Sequence, residues 1–402
     1  MLWSASHRVV PGTRSESPEG RPPAFLKGIA MLRRSWKLAA TAAVGALAVT
    51  LLAACGSGSE QTNASGFTEI KLNYTTPLPK TAAVEGMRTS FSDKLADATD
   101  GAVEVNPYYS DSLLPATDML KGMQDGRVDM GYVCASYFPE QLPLYQITGL
   151  PWLTDNAEAV VGALDKMSKE NDAFAAEFEK QGVKPLFFVP IQNAVMVGKE
   201  PLTSVDQFKG MRARSYSFPA EMIENAGGEP VFLSYAEVYE AMSRGTIDAV
   251  FPSTTDNALD VSLTEVAKQF DDLGAGQFVS CFVGLSTKAW DKMSPETQDE
   301  VTKLADAATP ENLDAFVGLE DKTCDRLKEA GGTLSKVDQS VVDEWKEMSG
   351  YDSFEGDWAA AAEKAGVEKD AADSFLTDYK ASIADLSASN DYVSGLTRCM
   401  EG

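Results

Sequence analysis

Histidine is almost missing from this chain: its 402 residues contain one, His7. Beyond it, Ser-His-Asp and Cys-His catalysis, histidine-ligated zinc and the usual general base near neutral pH are excluded. Cysteine is scarce too. There are five, none in CxxC spacing, which disfavours a metal cluster or a dithiol redox motif. Positive charge is also short, with 35 Lys and Arg against 60 Asp and Glu. Residues 1–54 hold seven of the basic groups and two of the acidic ones, which leaves 28 against 58 beyond them, a net charge of −30. Such a surface repels phosphate backbones and anionic lipid, so nucleic acid is a poor partner. An anionic ligand would need its own local cation. With so many acids, carboxylate pairs of the glycosidase kind arise by accident, and none is distinctive. After residue 54 no apolar run is long enough to span a bilayer.

What is present begins with an address. The basic stretch Met31-Leu32-Arg33-Arg34-Ser35-Trp36-Lys37 runs into an uncharged stretch from Leu38 to Ala54, ending Leu52-Ala53-Ala54-Cys55. That is the layout of a signal peptide. Small residues before a cysteine predict a lipoprotein signal, with the Cys55 thiol taking the lipid; the alternative is an ordinary signal peptide with an incidental cysteine. Residues 1–30 are rich in Pro, Arg and Ser and lie outside that design, since a start at Met31 gives a signal of ordinary length. Residues 55–67 read as a flexible Gly/Ser tether. The chain is therefore expected to be exported and held by lipid at the outer face of the bacterial cytoplasmic membrane. Four cysteines remain there, with three possible pairings. Cys324 and Cys399, both in the helical C-terminal part, are the expected disulfide, whereas Cys134 fits equally well as a buried free thiol.

The roughly 348 residues after Ala54 suggest two domains. Ile70 to Tyr74 alternates like a strand. Val84, Met87, Phe91 and Leu95 then mark one helical face, and Val103 to Val105 is the next strand. Strands alternating with helices argue for a mostly parallel sheet. Met123-x-x-Gly126-x-Val128-Asp129 recurs as Met242-x-x-Gly245-x-Ile247-Asp248, 119 residues later. Each copy reads as a helix ending at glycine, followed by a strand. The repeat predicts two similar α/β lobes with a cleft between them, where small ligands bind. From Ser294 the tail is largely helical, and Ser294-Pro295-Glu296 and Thr309-Pro310-Glu311 give two helix-start signals. These predict either one helix bent at Pro310 or two helices meeting there.

Several segments together resemble the DctP-type solute-binding proteins of TRAP transporters. They are Gly101-Ala102-Val103-Glu104-Val105, Leu120 to Met130 and Gly149-Leu150-Pro151-Trp152-Leu153, then Phe208-Lys209-Gly210-Met211-Arg212-Ala213-Arg214, Tyr235-Ala236-Glu237-Val238-Tyr239 and Gly245-Thr246-Ile247-Asp248. The resemblance implies a two-lobed type II periplasmic-binding-protein fold. Its expected layout is lobe I over 68–191, lobe II over 192–276, a return to lobe I with a long connecting helix over 277–320, and C-terminal helices packing on the lobes over 321–402. It further implies a binding protein rather than an enzyme, with no cofactor, that captures an organic acid, a C4-dicarboxylate among the candidates. The small and large membrane subunits of a TRAP transporter would be its partners. A binding protein for an ABC transporter or a sensor kinase, and a cell-envelope enzyme, are the competing readings.

By the same resemblance Arg214 is the carboxylate anchor, since a guanidinium fork matches two carboxylate oxygens. Arg212, on the other face of the strand, is then a surface residue. Tyr235 takes the place of a stacking aromatic, and Trp152 that of the opposite wall. Asn73 and Thr75 are candidates for hydrogen bonds to the ligand's polar end. Tyr132 and Phe251 would make the pocket unusually aromatic, which brings ring-bearing acids into contention. Ala194 stands where sialic-acid-binding members carry a further arginine, which argues against that ligand.

Overall fold

Leu72 and Tyr74 are buried, and alternate with Lys71 and Asn73 along the strand Ile70–Thr75, β1. The structure is a computed structural model and describes residues 61–278 and 280–402; the signal segment, Cys55 and the first part of the tether lie outside the described residues. The other strands are β2 (Val103–Tyr108), β3 (Met130–Cys134), β4 (Val183–Val189), β5 (Val195–Gly198), β6 (Arg212–Arg214), β7 (Glu229–Val231), β8 (Ala249–Ser253), β9 (Gln269–Asp272), β10 (Cys281–Ser286) and β11 (Thr333–Lys336). They form two sheets, ordered β2-β1-β3-β10-β4 and β11-β9-β5-β8-β6-β7.

The two sheets are built alike. In the first, β1 lies parallel to β2 and β3; in the second, β6 lies parallel to β7 and β8. Each trio is then joined by an antiparallel strand that arrives from the other lobe, β10 in one case and β5 in the other. The internal sequence repeat marks equivalent places in this plan. Gly126 (φ 78°) and Gly245 (φ 67°) make the left-handed turns after their helices. Asp129 and Asp248 follow, one residue ahead of β3 and β8. Asp129 Oδ2 accepts the Asn73 N–H (3.0 Å), and Asp248 Oδ2 accepts the Arg212 N–H (3.1 Å). In return, each aspartate's own N–H donates to the carbonyl of the same partner. The carboxylate thereby satisfies a strand N–H.

The chain crosses between the lobes after β4 and again after β9. The Ala194 N–H donates to the Gly276 carbonyl (2.9 Å), and the Gln277 side-chain amide donates to the Ile191 carbonyl. Gly276 has φ 81°, and a Cβ there would lie 2.3 Å from the Thr154 oxygen, so only glycine fits. A third link is the helix Pro295–Glu329, capped by the Ser294 hydroxyl and continuous through Pro310. It packs on helix Glu85–Ala98 and β4 of the first lobe and on helix Thr255–Asp260 of the second. Arg326 near its end meets the buried Asp260 carboxylate at 2.6 Å. Among the described residues no helix is long and apolar enough to cross a membrane.

Three expectations are corrected here. The boundary at 320 falls inside that continuous helix. The tail beyond it is not wholly helical, because β11 pairs in parallel with β9 and extends the second sheet. The tether is shorter than read, since residues 61–67 are fastened to lobe I: Thr62 bridges Thr68, Asn63 donates to the Thr99 carbonyl, and Ser65 donates to Asp100. Their small polar side chains act as local hydrogen-bond formers, which composition cannot tell from linker. At the other end of the chain, a disulfide joins Cys324 to Cys399 with an S–S distance of 2.01 Å.

Candidate functional site

β6 ends where the two lobes face each other, and its arginines have opposite surroundings. Arg212 is partly exposed and grips Asp248 with two bonds, Nη2 to Oδ1 at 2.7 Å and Nε to Oδ2 at 2.9 Å. Arg214, on the other face, is 3% exposed. Its Nε donates to the Leu233 carbonyl at 3.3 Å, and among the described residues no carboxylate stands within ion-pair distance of it. The guanidinium lies 4.7 Å from the ring centre of Tyr216 and 5.3 Å from that of Tyr235. Aromatic faces attract a cation but supply no counter-charge.

A cavity adjoins this guanidinium, its empty space of roughly 610 Å³ including open solvent at the mouth. Lobe I contributes Leu78, Tyr132, Cys134 and Tyr137. Lobe II contributes Tyr216, Tyr235, Ser253 and Asn257 along with Arg214, and the crossings contribute Ile191, Gln192 and Phe278. Cys134 is not a free thiol: it stands directly opposite Cys281 in the β3/β10 pairing, bonded to it at an S–S distance of 2.02 Å, and both cysteines line the wall. Arg214 is the one charged side chain among the described lining residues. Burial pushes the Tyr132, Tyr216 and Tyr235 phenols well up, so they stay neutral. The Tyr235 hydroxyl lies 2.7 Å from Ser253 Oγ.

The lobes also touch beside the cavity. Tyr137 Oη accepts the Tyr235 N–H at 3.2 Å, and Ser234 Oγ donates to Asp111 Oδ2 at 3.0 Å. The Tyr137 and Phe232 rings meet edge-on, 6.1 Å apart. Next to the wall residue Asn257 is Asp256, fully buried; desolvation raises its carboxyl to about 6. Its N–H donates to Gln192 Oε1, and its Oδ1 has no partner among the described residues. Among the described residues no group of three or more His, Cys, Asp or Glu is placed to hold a metal ion.

Of the residues singled out from sequence, Arg214, Tyr235 and Tyr132 line this cavity. Four others do not. Trp152 packs edge-on against Trp345 (6.1 Å) and Tyr351 (5.2 Å), on the C-terminal helices. Phe251 is fully buried between Phe278 and Trp345. Asn73 faces Asn106 across the β1/β2 pair, accepting from its amide at 3.3 Å. Thr75 is fully buried, with no partner for its hydroxyl among the described residues. β1 is flanked by strands on both sides, so it is the chain just beyond it, at Pro77 and Leu78, that reaches the cavity. Tyr137, Tyr216, Asn257 and the disulfide were missed. Tyr216 and Cys134 had a signal, being two residues from Arg214 and Tyr132 respectively.

The sequence matches the family described as bacterial extracellular solute-binding protein, family 7, over residues 75–353. The C4-dicarboxylate-binding periplasmic protein DctP of Rhodobacter capsulatus is 26% identical, over 68% of this chain and 85% of its own. A monocarboxylate 2-oxoacid-binding periplasmic protein of Nostoc is 23% identical, over 78% and 86%. Among solved structures, a marine-metagenome TRAP solute-binding protein specific for aromatic acid ligands superposes with a TM-score of 0.70 at 21% identity, covering 79% of this chain and 99% of that one. The Bordetella pertussis receptor DctP7, which binds pyroglutamic acid, gives 0.68 at 23% identity, covering 77% and 99%. The matched region takes in β2, β3 and β10 of the first sheet, the whole second trio of strands, both crossings and the cavity, and by it the chain belongs to bacterial extracellular solute-binding protein family 7, the DctP-type organic-acid-binding proteins of TRAP transporters.

Proposed function

We propose that this protein is a receptor tethered by a lipid on Cys55, that it captures an organic acid by closing its lobes with the acid's carboxylate on Arg214, and that it then delivers the acid to the small and large subunits of a TRAP permease. The observation that carries this reading is the buried Arg214 guanidinium, for which the described residues offer no carboxylate. An isolated buried charge is costly, and a ligand carboxylate relieves that cost with two parallel bonds. Pyroglutamate, aromatic acids, 2-oxoacids and C4-dicarboxylates, the ligands in the relatives' names, share a carboxylate and little else. Neutral phenols and one guanidinium make a binding wall without a general acid or base, which favours a receptor over an enzyme.

A thermal-shift screen of organic acids tests the reading. A true ligand raises the melting temperature further as its concentration climbs above Kd, and Arg214→Ala should lose that response. If no acid stabilises the wild-type protein, the reading fails. The anchor is tested separately: Cys55→Ala should move the protein from the membrane to the soluble fraction, and retention there would place the anchor elsewhere.

A further inference from the structure

Building on Arg214 as the anchor, we infer that the ligand carries a single carboxylate on an uncharged, largely apolar body, and that this cavity discriminates against dicarboxylates. Once one carboxylate occupies Arg214, the described lining residues hold no second cation. What remains of the wall is of two kinds. One part is apolar: Leu78, Ile191, Phe278 and the Cys134–Cys281 disulfide. The other is neutral and polar, made of hydroxyls such as those of Tyr132, Tyr216 and Ser253 and of the Asn257 amide. Asn257 Oδ1 is buried and has no partner among the described residues, and Ser253 Oγ is already engaged with the Tyr235 hydroxyl.

A buried carboxylate beside the wall has the wrong sign to receive a second carboxylate. Asp256 immediately precedes the lining residue Asn257 and is itself 5% exposed, so its carboxylate lies in the low-dielectric surroundings of the wall. Salt screening is lost inside a closed cleft. A second ligand carboxylate would therefore be desolvated without a counter-charge and repelled. A neutral amide or hydroxyl at the same place brings no charge to be left without a partner, and can donate to or accept from the hydroxyls of the wall.

Calorimetry with matched pairs separates charge from size: terephthalate against its monoamide, succinate against its monoamide, and benzoate alone, each on wild type and on Arg214→Ala at pH 7.5. In every pair that binds, the monoamide is expected to bind at least 100-fold more tightly than the diacid. Binding of benzoate with neither diacid as a ligand supports the inference too. A diacid that matches or beats its monoamide, with binding lost in Arg214→Ala, overturns the single-carboxylate inference and leaves the anchor standing. If no acid binds, or if Arg214→Ala binds as wild type does, the anchor itself falls and the inference goes with it.

Discussion

Arg212 and Arg214 stand two residues apart on one strand; the first is bonded twice to Asp248 near the surface, and the second is buried with no carboxylate among the described residues. Strand alternation alone produces the contrast. The exposed pair is expected to contribute at most about 1 kcal/mol. Arg212→Ala should therefore bind ligand within about twofold of wild type and melt only slightly lower. A loss of binding comparable to that of an Arg214 variant would show that the two faces of β6 have been misassigned.

The repeated aspartates hold equivalent strands in the two lobes. Asp129→Ala removes the acceptor of the Asn73 N–H, and Asp248→Ala removes that of the Arg212 N–H together with the exposed ion pair. Each should cost about 0.5 to 1.5 kcal/mol in chemical denaturation. Asparagine, which keeps one acceptor oxygen, should recover part of the loss at both positions. No difference between the alanine and asparagine variants would contradict the hydrogen-bond account.

Tyr137 Oη and Ser234 Oγ link the lobes beside the cavity. Tyr137→Phe and Ser234→Ala each remove one such bond, worth about 0.5 to 1.5 kcal/mol. Ligand affinity should fall roughly two- to tenfold in each, with the change mainly in the dissociation rate. Stopped-flow release would check this. Unchanged off-rates in both variants would mean that these contacts do not latch the closed form.

Glu177 sits buried on helix Asp172–Lys180, its two oxygens accepting the Leu144 and Tyr145 N–H groups at 2.6 and 3.1 Å, and burial raises its carboxyl to about 8. The unfolded chain loses this proton near pH 4.5, the folded protein near 8. Between those values the folded state holds more protons, so this group's contribution to stability falls as pH rises through the window and is flat above it. Glu177→Gln should be less stable by about 1 to 3 kcal/mol at pH 5, because one N–H loses its acceptor, and the gap should narrow towards pH 8. Denaturation curves that run parallel at both pH values would contradict the assignment.

The sequence carried the plan of the lobes further than the detail of the cavity. The 119-residue echo picked out equivalent turns because glycine and aspartate there serve local backbone needs, visible one turn at a time. Arg214 and Tyr235, which line the cavity, stand in the motifs quoted above, whereas Tyr132 was named only as one of several aromatics. Trp152 and Phe251 were misread because both pack on Trp345, roughly 190 and 90 residues further along, and an aromatic looks the same in sequence whether a helix or a ligand covers it. Similarly, Cys134 shows no sign in its own apolar run of the partner at Cys281, which only the antiparallel crossing of β10 brings alongside.

Arg214, as proposed above, is the ligand's counter-charge. Beyond residue 54 the chain carries a net charge of −30, and a carboxylate approaching it meets a repulsive field that salt screens beyond roughly 8 to 10 Å. Breaking a buried ion pair typically costs about 3 to 5 kcal/mol, or two to three decades in Kd. Isothermal titration of wild type, Arg214→Ala and Arg214→Lys with the tightest-binding acid from the screen measures this directly. At least a 100-fold loss is expected in the alanine variant, and the lysine variant should not restore affinity because an ammonium cannot form two parallel bonds. An Arg214→Ala protein that binds within threefold of wild type would contradict it.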